Sequence, residues 1–109
     1  MIHRVVSRSA LLFAGCLLAA GVQAAGDPQA GRLKADTCMG CHGIPSYRNA
    51  YPSYHVPRLG GQHAQYIVAA LQEYKEGNRG HKTMQAQAAS LSDQDMQDIA
   101  AYFETFQAK

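Results

Sequence analysis

Two cysteines two residues apart, with a histidine directly after the second, constrain this chain more than any other feature: Cys38-Met39-Gly40-Cys41-His42. On a helix the two thiols stand about one turn apart and project on the same side. Both can then add to the two vinyl groups on one edge of a haem, and the next residue carries its imidazole under the iron. The spacing is the attachment signature of c-type haem. Three other uses of the pair fit less well. A structural zinc site needs two more ligands, and with no second Cys pair only His55, His63 and His81 remain to complete it. A thioredoxin-type pair belongs in a βαβ context, and runs of alternating β-branched residues are absent. A Cys38–Cys41 disulfide would close too short a loop to stabilise much.

The N-terminus places the motif in an exported protein. Basic residues at Arg4 and Arg8 precede an apolar run from Ala10 to Val22, and Gln23-Ala24-Ala25-Gly26 follows with small residues. These are the three parts of a secretory signal. The run is shorter than the ~20 residues that span a bilayer. Residues 1–25 are therefore expected to be a cleaved signal peptide and 26–109 one domain, with the cut uncertain by one residue and no stable membrane insertion afterwards. Cys16 is a weaker match to lipid attachment, because Phe13 stands where Leu is usual. Without the signal, 84 residues remain, with eight basic and eight acidic side chains. No basic block exists, which argues against a nucleic-acid grip. A chain of this size has a thin core, so a covalent cofactor would help hold it together.

The rest of the chain reads as helical. Asp27-Pro28 is an N-cap with proline at the first helical position, opening a short helix to Lys34 that leads into the Cys38 motif. Gly43 to Gly61, with Pro45, Pro52 and Pro57, reads as a long loop that needs a functional reason, such as wrapping a haem edge. Gln62 to Glu76 forms a helix with Tyr66, Ile67, Ala70, Leu71 and Tyr74 on one face, stopped by Gly77. Ser92-Asp93-Gln94-Asp95 starts a terminal helix whose stripe is Met96, Ile99, Phe103 and Phe106, with Leu91 placed to staple onto Met96. These stripes are ordinary core that shapes a pocket.

An iron held by His42 has a second axial face, which Met, His or nothing fills. The candidates are Met84, Met39, Met96, His55, His63 and His81. Met39 lies inside the attachment motif on the proximal side, and Met96 falls on the buried stripe of the last helix. Met84 sits in the polar segment Gly80-His81-Lys82-Thr83-Met84-Gln85 with no apolar stripe to account for it. That makes Met84 the leading candidate, with His81 and His55 behind it.

With these residues in order, the chain resembles a class I c-type cytochrome, most closely the bacterial cytochrome c-four and c-553 group. The likeness rests on Cys38-Met39-Gly40-Cys41-His42-Gly43, Pro57-Arg58-Leu59-Gly60-Gly61-Gln62, Tyr66, Leu71, Tyr74, Gly77, Arg79, Met84, Leu91-Ser92-Asp93 and Ile99-Ala100-Ala101-Tyr102-Phe103. It implies an all-α fold, a small helical bundle wrapped around one covalently bound haem c, with the first and last helices crossing beside it. It further implies thioether bonds at Cys38 and Cys41, axial ligation by His42 and Met84, and a Pro57 carbonyl accepting from His42 Nδ1. Proteins of the c-four type carry two such halves, whereas this chain has one haem motif. Tyr47, Tyr51, Tyr54 and His55 have no place in the general family pattern.

The expected function is that of a periplasmic one-electron carrier and not an enzyme, meeting redox partner proteins by transient contact. A homodimer standing in for the two-half architecture is a further expectation. The rival within haem biology is a relay subunit docked to a periplasmic dehydrogenase or oxidase complex. Further off stand a haem protein with an open distal face and a haem-free thiol protein.

Overall fold

Asp27 caps the first helix by accepting from the Gln29 amide at 2.8 Å, and Pro28 occupies the first turn, where its missing N–H costs nothing. The computed structural model describes residues 25–106. The expected signal segment, up to Ala24, lies outside the described residues. Helix α1 (Pro28–Lys34) is followed through the fully buried Ala35 by α2 (Asp36–His42), which carries the Cys38–His42 motif. A hairpin of β1 (Arg48–Ala50) and β2 (Ser53–His55) comes next, and then α3 (Ala64–Glu76), α4 (Lys82–Ala89) and α5 (Asp93–Glu104). The described residues form the expected all-α arrangement, with two very short strands added.

The crossing of α1 and α5 sets the frame. Gly31 lies against the Asp98 backbone and Gly26 against that of Gln97, so close that a Cβ at either glycine would strike a carbonyl oxygen. Asp98, 3% exposed, ties the crossing together. Its carboxylate accepts from the Asp27 amide at 2.8 Å, Gln94 Nε2 at 2.8 Å and Lys34 Nζ at 2.6 Å. Lys34 also pairs with Asp95 at 2.8 Å. Helix α3 packs on α5 and α4. The core joins Ala35, Ile67, Val68, Leu71, Ala88, Met96, Ile99, Ala100 and Phe103.

Helix α5 begins as its sequence requires, with a reciprocal capping box between Ser92 and Asp95. Its stripe is buried through Phe103. The helix ends at Glu104, so Phe106, expected on that stripe, instead lies past the end, 36% exposed. The Gln62 start of the second expected helix shifts to Ala64, with His63 at the cap. Gly77, in the left-handed region at φ 81°, closes α3 as expected.

Two elements differ from the expectation. Residues 43–61 do not form a continuous loop: Arg48, Asn49 and Ala50 pair with His55, Tyr54 and Ser53 around a Tyr51-Pro52 turn. The ladder is fixed by Asn49 Nδ2 donating to the Pro52 carbonyl and by Val56 N–H donating to the Tyr47 carbonyl. Met84 lies not in an irregular polar segment but in the first turn of α4. That helix buries only Ala88, so it shows no apolar stripe; three alanines give it high intrinsic helix propensity.

Candidate functional site

Cys38 and Cys41 project from α2 half-buried and unbridged, and both face a cavity of about 460 Å³. That volume lies within the range of about 300–1,000 Å³ typical of small-molecule and cofactor sites. Its lining includes the apolar Ile67, Ala70, Leu71, Leu91 and Ile99 and the aromatic Tyr54, Tyr66 and Tyr74. The α3 face expected to be plain core is therefore split: Ile67 and Leu71 are buried, while Tyr66 is exposed beside the cavity. Burial raises the Cys38 thiol above its ordinary pKa, with a Thr37 hydrogen bond opposing.

His42 ends α2 and also lines the cavity. Its Nδ1 donates to the Pro57 carbonyl oxygen at 2.6 Å. Val56, buried and bonded to Tyr47, anchors the chain just before Pro57 and so fixes where that carbonyl points. With the proton held on Nδ1, the Nε2 lone pair of a neutral imidazole is free to bind a metal.

His81 has the opposite arrangement. It caps α4, and its Nδ1 accepts from the Met84 amide, a long contact of 3.4 Å. A neutral ring that accepts at Nδ1 carries its proton on Nε2, which leaves no lone pair for iron. The ring packs edge-on to Tyr54 at 4.6 Å and to Tyr74 at 6.5 Å.

Of the six candidates for the second axial position, Met84, His55 and His81 line this cavity. Met96 is fully buried in the core, as its stripe position predicts. Met39 lies on the other side of His42, in a small pocket with Pro45, Arg58 and Phe106. His63 caps α3 and lies outside the cavity. The fold thus brings Cys38, Cys41, His42 and Met84 to one cavity, with Pro57 behind His42.

The cavity's charged lining is basic: Lys34, Arg58 and Arg79, with no carboxylate among them. Lys34 is taken up by Asp95 and Asp98. The Arg79 guanidinium lies 4.8 Å from the Tyr74 ring centre. The Tyr66 hydroxyl and the Tyr74 ring hold its pKa above the ordinary value. In the sequence Arg79 stands out only as one of the residues that carry the family resemblance; its place at the cavity becomes visible when α3 and α4 are brought together. These residues fit a haem: paired thiols on one helix, an oriented imidazole, an apolar slot, and cations suited to its carboxylates.

The family model for cytochrome c matches residues 29–107. The chain belongs to the cytochrome c family. Within it, this is a class I c-type cytochrome of the c4 group. It is 43% identical over 81 residues to cytochrome c4 of Thiocapsa roseopersicina, which covers 73% of this chain and 40% of that protein. It is 42% identical over 82 residues to cytochrome c-554(548) of Halomonas halodenitrificans, covering 72% of this chain and 95% of that one. The solved cytochrome c4 of Acidithiobacillus ferrooxidans aligns with a TM-score of 0.59 at 28% identity, over 80% of this chain and 53% of that chain. The chain thus spans about two fifths of the length of the c4 relative it matches. Membership of the family implies covalently bound haem c.

Proposed function

We propose that the chain is a periplasmic one-electron carrier, with one haem c held by thioether bonds to Cys38 and Cys41 and axial ligands His42 and Met84. The observation that carries this reading is one cavity lined by Cys38, Cys41, His42 and Met84, with His42 Nδ1 engaged by the Pro57 carbonyl. A bound haem c supplies a one-electron iron couple. The residues around it do the rest. Pro57 fixes the His42 ring and raises its basicity as a ligand. Met84, as a thioether, favours the reduced state relative to a second imidazole. Ile67, Leu71, Leu91 and Ile99 give the slot an apolar lining that would exclude water, and Arg58 and Arg79 on the same lining would be available to the carboxylates of the group. With His42 and Met84 both holding the iron, substrates would have no open coordination site, which is the ground for reading a carrier and not an enzyme.

Export across the inner membrane rests on the N-terminal pattern and on the c4 relatives. Among the described residues no helix is long and apolar enough to cross a membrane. Partners are redox proteins met in brief encounters. The docked-relay reading has one relative behind it: a thiosulfate dehydrogenase electron acceptor of Stutzerimonas stutzeri, 36% identical over 74 residues. A homodimer would give two haem sites per assembly; sedimentation as a monomer at working concentrations would remove that reading.

Absorption spectra of the exported holoprotein test the ligation. The oxidised protein is expected to be low-spin with the weak sulfur-to-iron band. Met84→Ala is expected to abolish that band and let the reduced protein bind carbon monoxide. A spectrum indifferent to Met84→Ala would overturn the assignment.

A further inference from the structure

Helix α4 is poorly equipped to fix its own first turn. It has eight residues, well under the length at which isolated helices hold together, and it buries only Ala88. Yet its first turn carries Met84. The β1–β2 hairpin is equally short of support, since isolated two-stranded hairpins are marginal. Among its strand residues only Asn49 and Tyr54 are half-buried, and the Tyr51 tip is 95% exposed. The two weak elements meet through one residue. Tyr54 Oη donates to Thr83 Oγ1 at 3.2 Å, and its ring lies 4.6 Å from His81 at 82°. His81 in turn accepts from the Met84 amide and lies 6.5 Å from the Tyr74 ring of α3.

We propose that the hairpin is a clasp on the start of α4, and that Tyr54 is a positioning residue that holds Met84 toward the cavity through Thr83 and His81. The inference rests on the reading of Met84 as an axial ligand. Tyr54 also lines the cavity, but the role inferred for it acts through Thr83 and His81: it limits how often the turn His81–Met84 lifts away. The hydrogen bond contributes about 1 kcal/mol and the edge-to-face ring pair a similar amount. Removing the first raises the open fraction about fivefold, and removing both raises it about 30-fold, because apparent affinity at a covered site scales with that fraction.

The test compares Tyr54→Phe, Tyr54→Ala and Thr83→Val with Tyr51→Ala as the control, all as holoprotein. Carbon monoxide affinity of the reduced protein should rise about fivefold in Tyr54→Phe and Thr83→Val and about 30-fold in Tyr54→Ala. The sulfur-to-iron band should weaken in the same order, and amide exchange at Met84 should speed up. Tyr54→Phe combined with Thr83→Val should add nothing beyond either alone, since both break one bond. Tyr51→Ala should change none of these. Unchanged affinity and exchange in Tyr54→Ala would overturn the clasp. If the wild-type protein lacked the sulfur band, the ligand assignment would fail instead, and Met84 amide exchange in the Tyr54 variants would still decide the clasp.

Discussion

Asp98 is the buried charge on which the α1–α5 crossing turns, and nothing in the sequence singles it out. Its Lys34 hydrogen bond, followed by the Asp27 amide, holds its pKa below the usual carboxylate range. Lys34 and then Ser92 pull Asp95 down to about 2. Both groups bind protons less tightly folded than unfolded, so their stabilisation is full above the unfolded value near 4 and is lost as pH falls through their lowered folded values, about 2 for Asp95. Asp98→Asn should therefore cost about 2 kcal/mol near neutral pH and progressively less in acid. Thermal melts of the two holoproteins across that range check it; a cost independent of pH would show that the charge is not what matters. At this scale the sequence was unevenly legible. Cys38, Cys41 and His42 were evident because their chemistry is written in local spacing. Met84 emerged by elimination. The difference between His42 and His81 was hidden, because which ring nitrogen is engaged depends on a carbonyl 15 residues away in one case and on a helix cap in the other.

Elements were legible where local chemistry decides them. The Asp27-Pro28 start, the Ser92–Asp95 capping box and the Gly77 stop each lie where their residues put them. Helix α4 and the hairpin were missed for one shared reason. Neither has a hydrophobic period, and where the two meet the contact is made by residues distant in sequence, Tyr54 with His81 and Thr83. The α1–α5 crossing was expected only by resemblance, and its intimacy rests on a glycine the sequence did not flag. A Cβ at position 31 has no room before the Asp98 carbonyl, whereas one at position 40 on α2 meets nothing within 4 Å. The same substitution should therefore act with opposite sign at the two sites. Gly31→Ala should destabilise by about 2 kcal/mol through overpacking, on the order of 10 °C in Tm for a domain of this size. Gly40→Ala should stabilise by about 0.5 kcal/mol, as expected in a helix interior. Melting curves that moved in the same direction would mean the helix crossing is not the constraint on position 31.

For the whole molecule the governing quantity is charge. Residues 26–109 carry eight basic and eight acidic side chains. With the signal removed and one haem bound, as proposed above, its two carboxylates would leave the holoprotein slightly negative, and Arg58 and Arg79 at the cavity would partly offset that locally. A protein with so little net field is steered only weakly toward a partner, whereas strongly charged carriers gain 10–10³-fold in association rate from steering and lose it as salt rises. On the carrier reading proposed above, recognition would rest on short-range fit around the attachment motif, where Ile44 is 48% and Phe106 36% exposed. Small contacts of this kind separate quickly, which suits turnover. Electron-transfer rates with a purified redox partner should therefore change by less than about tenfold between low and physiological ionic strength. A steep fall with salt would mean that local charge around the site, and not the near-zero total, directs the encounter; Arg58→Ala and Arg79→Ala would then show which cation carries it.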